Sequence, residues 1–148
     1  MRLNKQTDYA FRILLFLALQ GEGTLSNIDD IIGKVKTSRS HLTKITAKMA
    51  KLGYITTISG KHGGITLNPT TLAVPLAHIA MQFESTFDVI DCSKPLCPIQ
   101  GVCRLKHILN EASQAFLSSL EQHTLLDILP KESAEWQIVT NKLNIKQA

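Results

Sequence analysis

The order in which two kinds of hydrophobic spacing follow one another over residues 7–67 narrows the fold of this chain more than any other feature. From Thr7 to Gln20, Ala10, Phe11, Leu14, Leu15 and Leu17–Ala18 recur at helical spacing, and Gly21 and Gly23 stop the pattern. Ser26 is placed to cap a second helix, with Asp29 in its first turn, Ile28, Ile31 and Ile32 as a short apolar face, and Gly33 as its end. A third helix is expected from about Ser38 to Leu52, where Leu42, Ile45, Met49 and Leu52 form a stripe and Gly53 follows as a stop. The spacing then changes. Ile55-Thr56-Thr57-Ile58 and Ile65-Thr66-Leu67 are β-branched runs, separated by the glycine-rich loop Ser59-Gly60-Lys61-His62-Gly63-Gly64. Helix, helix, turn, helix, hairpin is the order of a winged helix-turn-helix.

Downstream, Pro75 can open a helix through Phe83, residues 84–101 read as irregular around Pro95 and Pro98, and a long helix is expected from about Cys103 to Gln122. Its seam of Leu105, Ile108–Leu109, Ala112, Phe116 and Leu120 is read as a subunit contact, with packing back on the winged helix as the alternative. Leu125–Leu129 can add a short helix, and the sequence does not place the tail beyond Pro130, which holds Trp136. The expected organisation is a winged helix-turn-helix DNA-binding domain at 1–83, a cysteine loop at 84–103, a dimerisation helix with its following short helix at 103–129, and a tail at 130–148. The fold class is mainly α with a small β-hairpin wing.

Charge follows the same division. Residues 1–70 carry ten Lys+Arg against four Asp+Glu, residues 71–148 six against eight, and no acidic residue lies between Asp30 and Glu84. That distribution points to a polyanion partner for the front half only. On the third helix Lys44, Lys48 and Lys51 lie along one side, flanking the apolar stripe. Ser38, Arg39, Ser40 and His41 occupy the first turn, the part of a recognition helix that reaches base edges in the major groove. Arg39 has the fork to donate to guanine O6 and N7. Lys61 and His62, at the hairpin tip, can enter an adjacent minor groove. Double-stranded DNA is the expected partner, and about five neutralised phosphates per subunit would give a dimer a log–log salt slope of roughly −9.

Other classes fit less well. The apolar run Ile13–Leu19 is short, Asp8 and Arg12 interrupt its approach, and no cleavage site follows, so no leader is expected. No stretch approaches the ~20 apolar residues of a bilayer span, and a cytoplasmic protein without a membrane partner is expected. An enzyme is not expected, because the chain has no glycine-rich phosphate loop and no evident nucleophile–base pair.

Cys92, Cys97 and Cys103 read C-x4-C-x5-C, an odd number bunched too closely for a secreted disulfide framework. Thiolates are soft ligands that favour iron–sulfur clusters, zinc or copper. Prolines stiffen the loop, Gly101 allows a turn, and Cys103 sits at the positive end of the long helix's dipole. Three sulfurs leave a site incomplete, unlike a closed structural zinc site. The local candidate for a fourth ligand is His107, and a distant one is Asp8. A thiol redox pair or inert cysteines remain the alternatives to metal.

Taken together, Met1-Arg2-Leu3 with Thr7-Asp8-Tyr9-Ala10, the segment Ser38-Arg39-Ser40-His41-Leu42-Thr43-Lys44-Ile45, the wing Gly60-Lys61-His62-Gly63-Gly64 and Cys103-Arg104-Leu105-Lys106 resemble the NsrR family of nitric-oxide-sensing repressors. These are winged-helix iron–sulfur proteins related to the IscR cluster-biogenesis regulators. The resemblance covers residues 1 to about 129. It implies a homodimer on a palindromic operator that represses nitric-oxide-detoxification genes and releases DNA when its cluster is nitrosylated or lost. It also implies that Cys92, Cys97 and Cys103 hold the cluster, with Asp8 of the partner subunit as fourth ligand. IscR-like members use a histidine three residues after the last cysteine; Lys106 stands there and His107 one further on. The fourth ligand, and a 2Fe–2S or 4Fe–4S cluster, thus stay open. A cluster-free winged-helix regulator switched by zinc or a disulfide is the alternative function.

Overall fold

The computed structural model describes residues 2–145. Helix α1 (Lys5–Leu19) begins two residues before Thr7, because the side chain of Asn4 caps it by accepting from the N–H groups of Gln6 and Thr7. Ala10, Ile13, Leu14, Phe16 and Leu17 are buried along it and form the centre of the core. Helix α2 (Ile28–Val35) differs from expectation at both ends. Asn27, not Ser26, is its cap, accepting from the N–H of Asp30 at 2.8 Å. Ser26 is unavailable because its backbone pairs with Ile65 in both directions, each at 2.9 Å. The helix also runs through Gly33: burying Val35 outweighs the roughly 1 kcal/mol that a helical glycine costs. It ends at Lys36 in the left-handed region, φ 54°.

Helix α3 (Arg39–Lys51) follows, with Leu42, Ile45 and Met49 turned inward and Ser38 as cap. Strands β1 (Ile55–Ile58) and β2 (Gly64–Leu67) pair antiparallel, Ile55 opposite Leu67 and Ile58 opposite Gly64. Alternation buries Ile55, Ile65 and Leu67, so the wing's root belongs to the core while its tip stands free. A Cβ on Gly63 would lie 2.0 Å from the Ile58 carbonyl oxygen, so this turn admits only glycine there.

A 3-10 turn (Pro69–Ala73) leads to α4 (Leu76–Phe83), which packs on α1. The cysteine segment follows, then α5 (Arg104–Glu121), against α4. The chain then returns to the head: the Leu76 N–H donates to the His123 carbonyl at 2.8 Å, and Leu125 is wholly buried in the core. The tail forms α6 (Ser133–Leu143), with Thr140 buried. This mainly helical winged helix with one hairpin agrees with the fold class expected from the sequence.

The seam expected on α5 is divided. Leu120 packs against the core and Phe116 meets Phe87, ring centres 6.5 Å apart. Leu105 and Ile108, at the other end, are each 58% exposed. His78 on α4 is exposed, and its Nε2 lies 3.2 Å from Glu121 Oε1 on α5.

Candidate nucleic-acid interface and thiol segment

The helical period sorts α3 into two faces. Leu42, Ile45, Thr46 and Met49 are buried, whereas Ser38, Arg39, Ser40, His41, Lys44, Lys48 and Lys51 are all exposed. Ser38 spends its hydroxyl on the helix start, accepting from the His41 N–H at 3.3 Å and meeting Ser40 Oγ at 3.1 Å. The first turn is therefore set before any ligand arrives. Lys61 and His62 are exposed at the wing tip, where Gly60 takes φ +107°. No carboxylate interrupts this surface from within residues 31–83.

Three of these side chains are held by neighbours. The guanidinium of Arg39 pairs with Asp29 of α2. The imidazole of His41 lies 6.1 Å from the ring of Tyr9. The ammonium of Lys48 donates to the Gln82 carbonyl and stands 5.1 Å from the centre of the Phe83 ring. Neither Asp29 nor Gln82 is signalled as a partner in the sequence, since each meets its lysine or arginine only through the fold.

The thiols lie on a folded loop. The Cys97 N–H donates to the Cys92 carbonyl at 3.0 Å, and the Gln100 N–H to the Cys97 carbonyl at 3.0 Å. Asp91 accepts from the N–H and hydroxyl of Ser93, at 2.8 and 2.5 Å. These hydrogen bonds, the hydroxyl's foremost, hold the Asp91 carboxyl below the usual carboxylate range. All three cysteines are free; Cys92 is buried, Cys97 and Cys103 half-buried, and Cys103 stands at the cap position of α5. Among the described residues of this single chain, no three His, Cys, Asp or Glu side chains are gathered so as to hold a metal ion. The donor chemistry nonetheless suits an iron–sulfur cluster: three free, soft sulfurs on one compact loop. Each of the two fourth-ligand candidates is paired with a neighbour on its own helix, Asp8 with Arg12 at 2.8 Å and His107 with Glu111 at 3.3 Å.

A helix-turn-helix whose second helix, α3, carries no acid on its outward face, and a wing beside it, define a winged-helix DNA-binding regulator. Residues 3–131 match the Rrf2 family, described as "Iron-dependent Transcriptional regulator", and the chain belongs to that family of transcriptional regulators, not to an enzyme family. It is similar to the HTH-type transcriptional regulator NsrR of Bacillus subtilis, 39% identical over 87% of this chain and 90% of that protein. To NsrR of Bacillus licheniformis it is 38% identical, over 87% and 92%. In fold it is similar to the solved structure of CymR, the global cysteine regulator of B. subtilis, with a TM-score of 0.70 at 17% identity over 86% of this chain and 95% of that one. The structure of T. potens IscR gives a TM-score of 0.66, also at 17% identity, over 86% and 85%. Among the described residues no helix is long and apolar enough to cross a membrane.

Proposed function

We propose that this chain is a cytoplasmic transcriptional repressor that grips a palindromic operator as a homodimer and releases it in response to nitric oxide. The observation that carries the proposal is the outward face of α3, where Ser38, Arg39, Ser40, His41, Lys44, Lys48 and Lys51 face solvent with no acid among them. Arg39 would read a base edge, Lys44, Lys48 and Lys51 would meet phosphates, and Lys61 and His62 would follow from the wing.

Cys92, Cys97 and Cys103 would hold an iron–sulfur cluster, with Asp8 of the partner subunit completing it and His107 as the second choice. Such a cluster supplies iron open to nitric oxide. The chain's own contribution is to carry the thiols between α4, which packs on α1, and α5. Leu96, Ile99, Val102, Leu105 and Ile108 form an exposed apolar run around Cys97 and Cys103, which supports a subunit contact there. Half-sites one helical turn apart require a fixed distance between two recognition helices, and this contact would set it.

The test is operator affinity of oxygen-free, iron-loaded protein before and after nitric oxide, with iron and sulfide counted. A loss of at least fivefold is expected, the lower end of ordinary coupling between sites; equal affinities refute the switch. The alternative is a cluster-free regulator switched by zinc or a disulfide. Colourless, iron-free protein from oxygen-free cells would select it.

A further inference from the structure

The end of α4 is where three parts of the chain meet. A helix leaves the carbonyls of its last turn without partners inside itself, and α4 has no basic residue in that turn to answer them. Partners come from other elements. Lys48 of α3 donates to the Gln82 carbonyl, and Nδ2 of Asn4 donates to the Phe83 carbonyl at 2.9 Å. The next residue, Glu84, opens the segment that leads to the cysteines. Its carboxylate accepts twice from Asn4, from the backbone N–H at 2.8 Å and from Nδ2 at 2.8 Å.

Asn4 is thereby saturated. Its Oδ1 already accepts from Gln6 N–H at 2.7 Å and Thr7 N–H at 3.0 Å, so its amide has no hydrogen or lone pair to spare. One side chain joins the first turn of α1 to the last turn of α4, with a half-buried carboxylate taking two charge-assisted bonds. Asn4, Lys48, Gln82, Phe83 and Glu84 border a single cleft of ≈ 530 Å³ between α1, α3 and α4.

We infer that Glu84 is a positioning residue: by locking Asn4 to the end of α4 it makes Gln82–Glu84 a joint through which the cysteine segment sets the recognition helix. Its consequence for operator binding rests on the DNA-binding function proposed above; its geometry does not. The joint works because each partner is already committed. Moving Glu84 withdraws the acceptor from Asn4, which loosens the Phe83 carbonyl and the α1 cap together. The Lys48 ammonium shares that turn, so α3 feels the same displacement.

The test uses the full, iron-free chain. Glu84→Gln keeps the size but offers one carbonyl where two donors wait, and turns an amide against the second. Asn4→Ser keeps a helix cap but has no amide to reach Phe83 or Glu84. Hydrogen exchange in the free protein should quicken, in both variants, at the start of α1 and over the Lys48 half of α3, with the wing unchanged. Loosening confined to α1 overturns the inference. On operator DNA, Glu84→Gln should weaken binding roughly fivefold to fiftyfold, as for linked sites, and its effect should be non-additive with Lys48→Met. Additive effects also overturn it. If the wild-type chain binds no duplex at all, the DNA-binding proposal fails, while the exchange pattern still decides the joint.

Discussion

In the free chain the guanidinium of Arg39 is held by the carboxylate of Asp29, so the base contact proposed for Arg39 requires DNA to displace that carboxylate. The size of that hold follows from exposure. The side chains are 61% and 78% exposed, so water screens the pair and its worth is at most about 1 kcal/mol. Asp29→Asn keeps the shape, frees the arginine and removes a negative charge beside the interface. Asp29 also lies in the first turn of α2, where its charge favours the helix dipole by about 0.3–1 kcal/mol. Stability should therefore fall by no more than about 2 kcal/mol. Operator affinity should rise, by at most about fivefold per subunit and about thirtyfold for two half-sites, if the whole hold is recovered on binding. Fluorescence anisotropy on a labelled operator across a salt series measures this. The salt slope should stay unchanged, because the contact proposed for Arg39 is to a base and not to a phosphate. Arg39→Ala should cost about 1–3 kcal/mol at one base pair. A weaker Asp29→Asn would refute the reasoning, since it would mean that Asp29 aims the arginine. An equal gain on scrambled duplex would refute it too, by reducing the effect to charge alone.

Leu125→Ala should destabilise the head by about 2–5 kcal/mol, seen as a lower thermal midpoint, because this side chain after α5 is wholly buried in the core of α1 and its neighbours. Gly63→Ala should cost about 1–3 kcal/mol and weaken operator binding, since its Cβ would lie 2.0 Å from the Ile58 carbonyl and force the wing turn open. Asp127, lowered by accepting first from the backbone N–H and then the hydroxyl of Thr124, should add stability that is full above its ordinary carboxyl range and fades as pH falls through its lowered folded value. The midpoints of wild type and Asp127→Asn should accordingly differ at neutral pH and converge in acid.

The element order was legible because each boundary is written in local chemistry: glycines after α1 and α3, Ser38 before α3, Pro75 before α4. The errors came where the fold overrides a local signal. Ser26 is as good a cap as Asn27 by type, but the wing strand claims its backbone. Gly33 is a plausible stop, yet Val35 beyond it reaches the core. Helix α6 escaped because Glu132 makes no side-chain cap bond and only Thr140 of the helix is buried, so neither boundary nor periodicity marks it strongly. The outward set on α3 could be listed from a helical wheel, whereas its partners Asp29 and Gln82 could not. Glu84 carried no signal at all, because its role depends on a residue eighty positions away.

That Arg39 and Lys48 on the outward face of α3 arrive already engaged bears on how the proposed DNA-binding head could be switched. Ordering a long side chain on binding costs about 0.5–1.5 kcal/mol, and Arg39 and Lys48 have surrendered part of that freedom in the free chain. In the proposed complex DNA would offer them an exchange of one acceptor for another: carboxylate for base edge, helix carbonyl for phosphate. Exchanges of this kind nearly cancel, so net affinity becomes sensitive to small changes in how firmly the protein keeps its own side chains. Phe83 and Glu84, just past the carbonyl that holds Lys48, begin the chain's path to Cys92. A disturbance of the cysteine segment that shifts this turn changes the balance on the recognition helix without unfolding anything. The 1–3 kcal/mol typical of coupled sites is of the same size as the contacts being exchanged, so the proposed switch would require no large moving part.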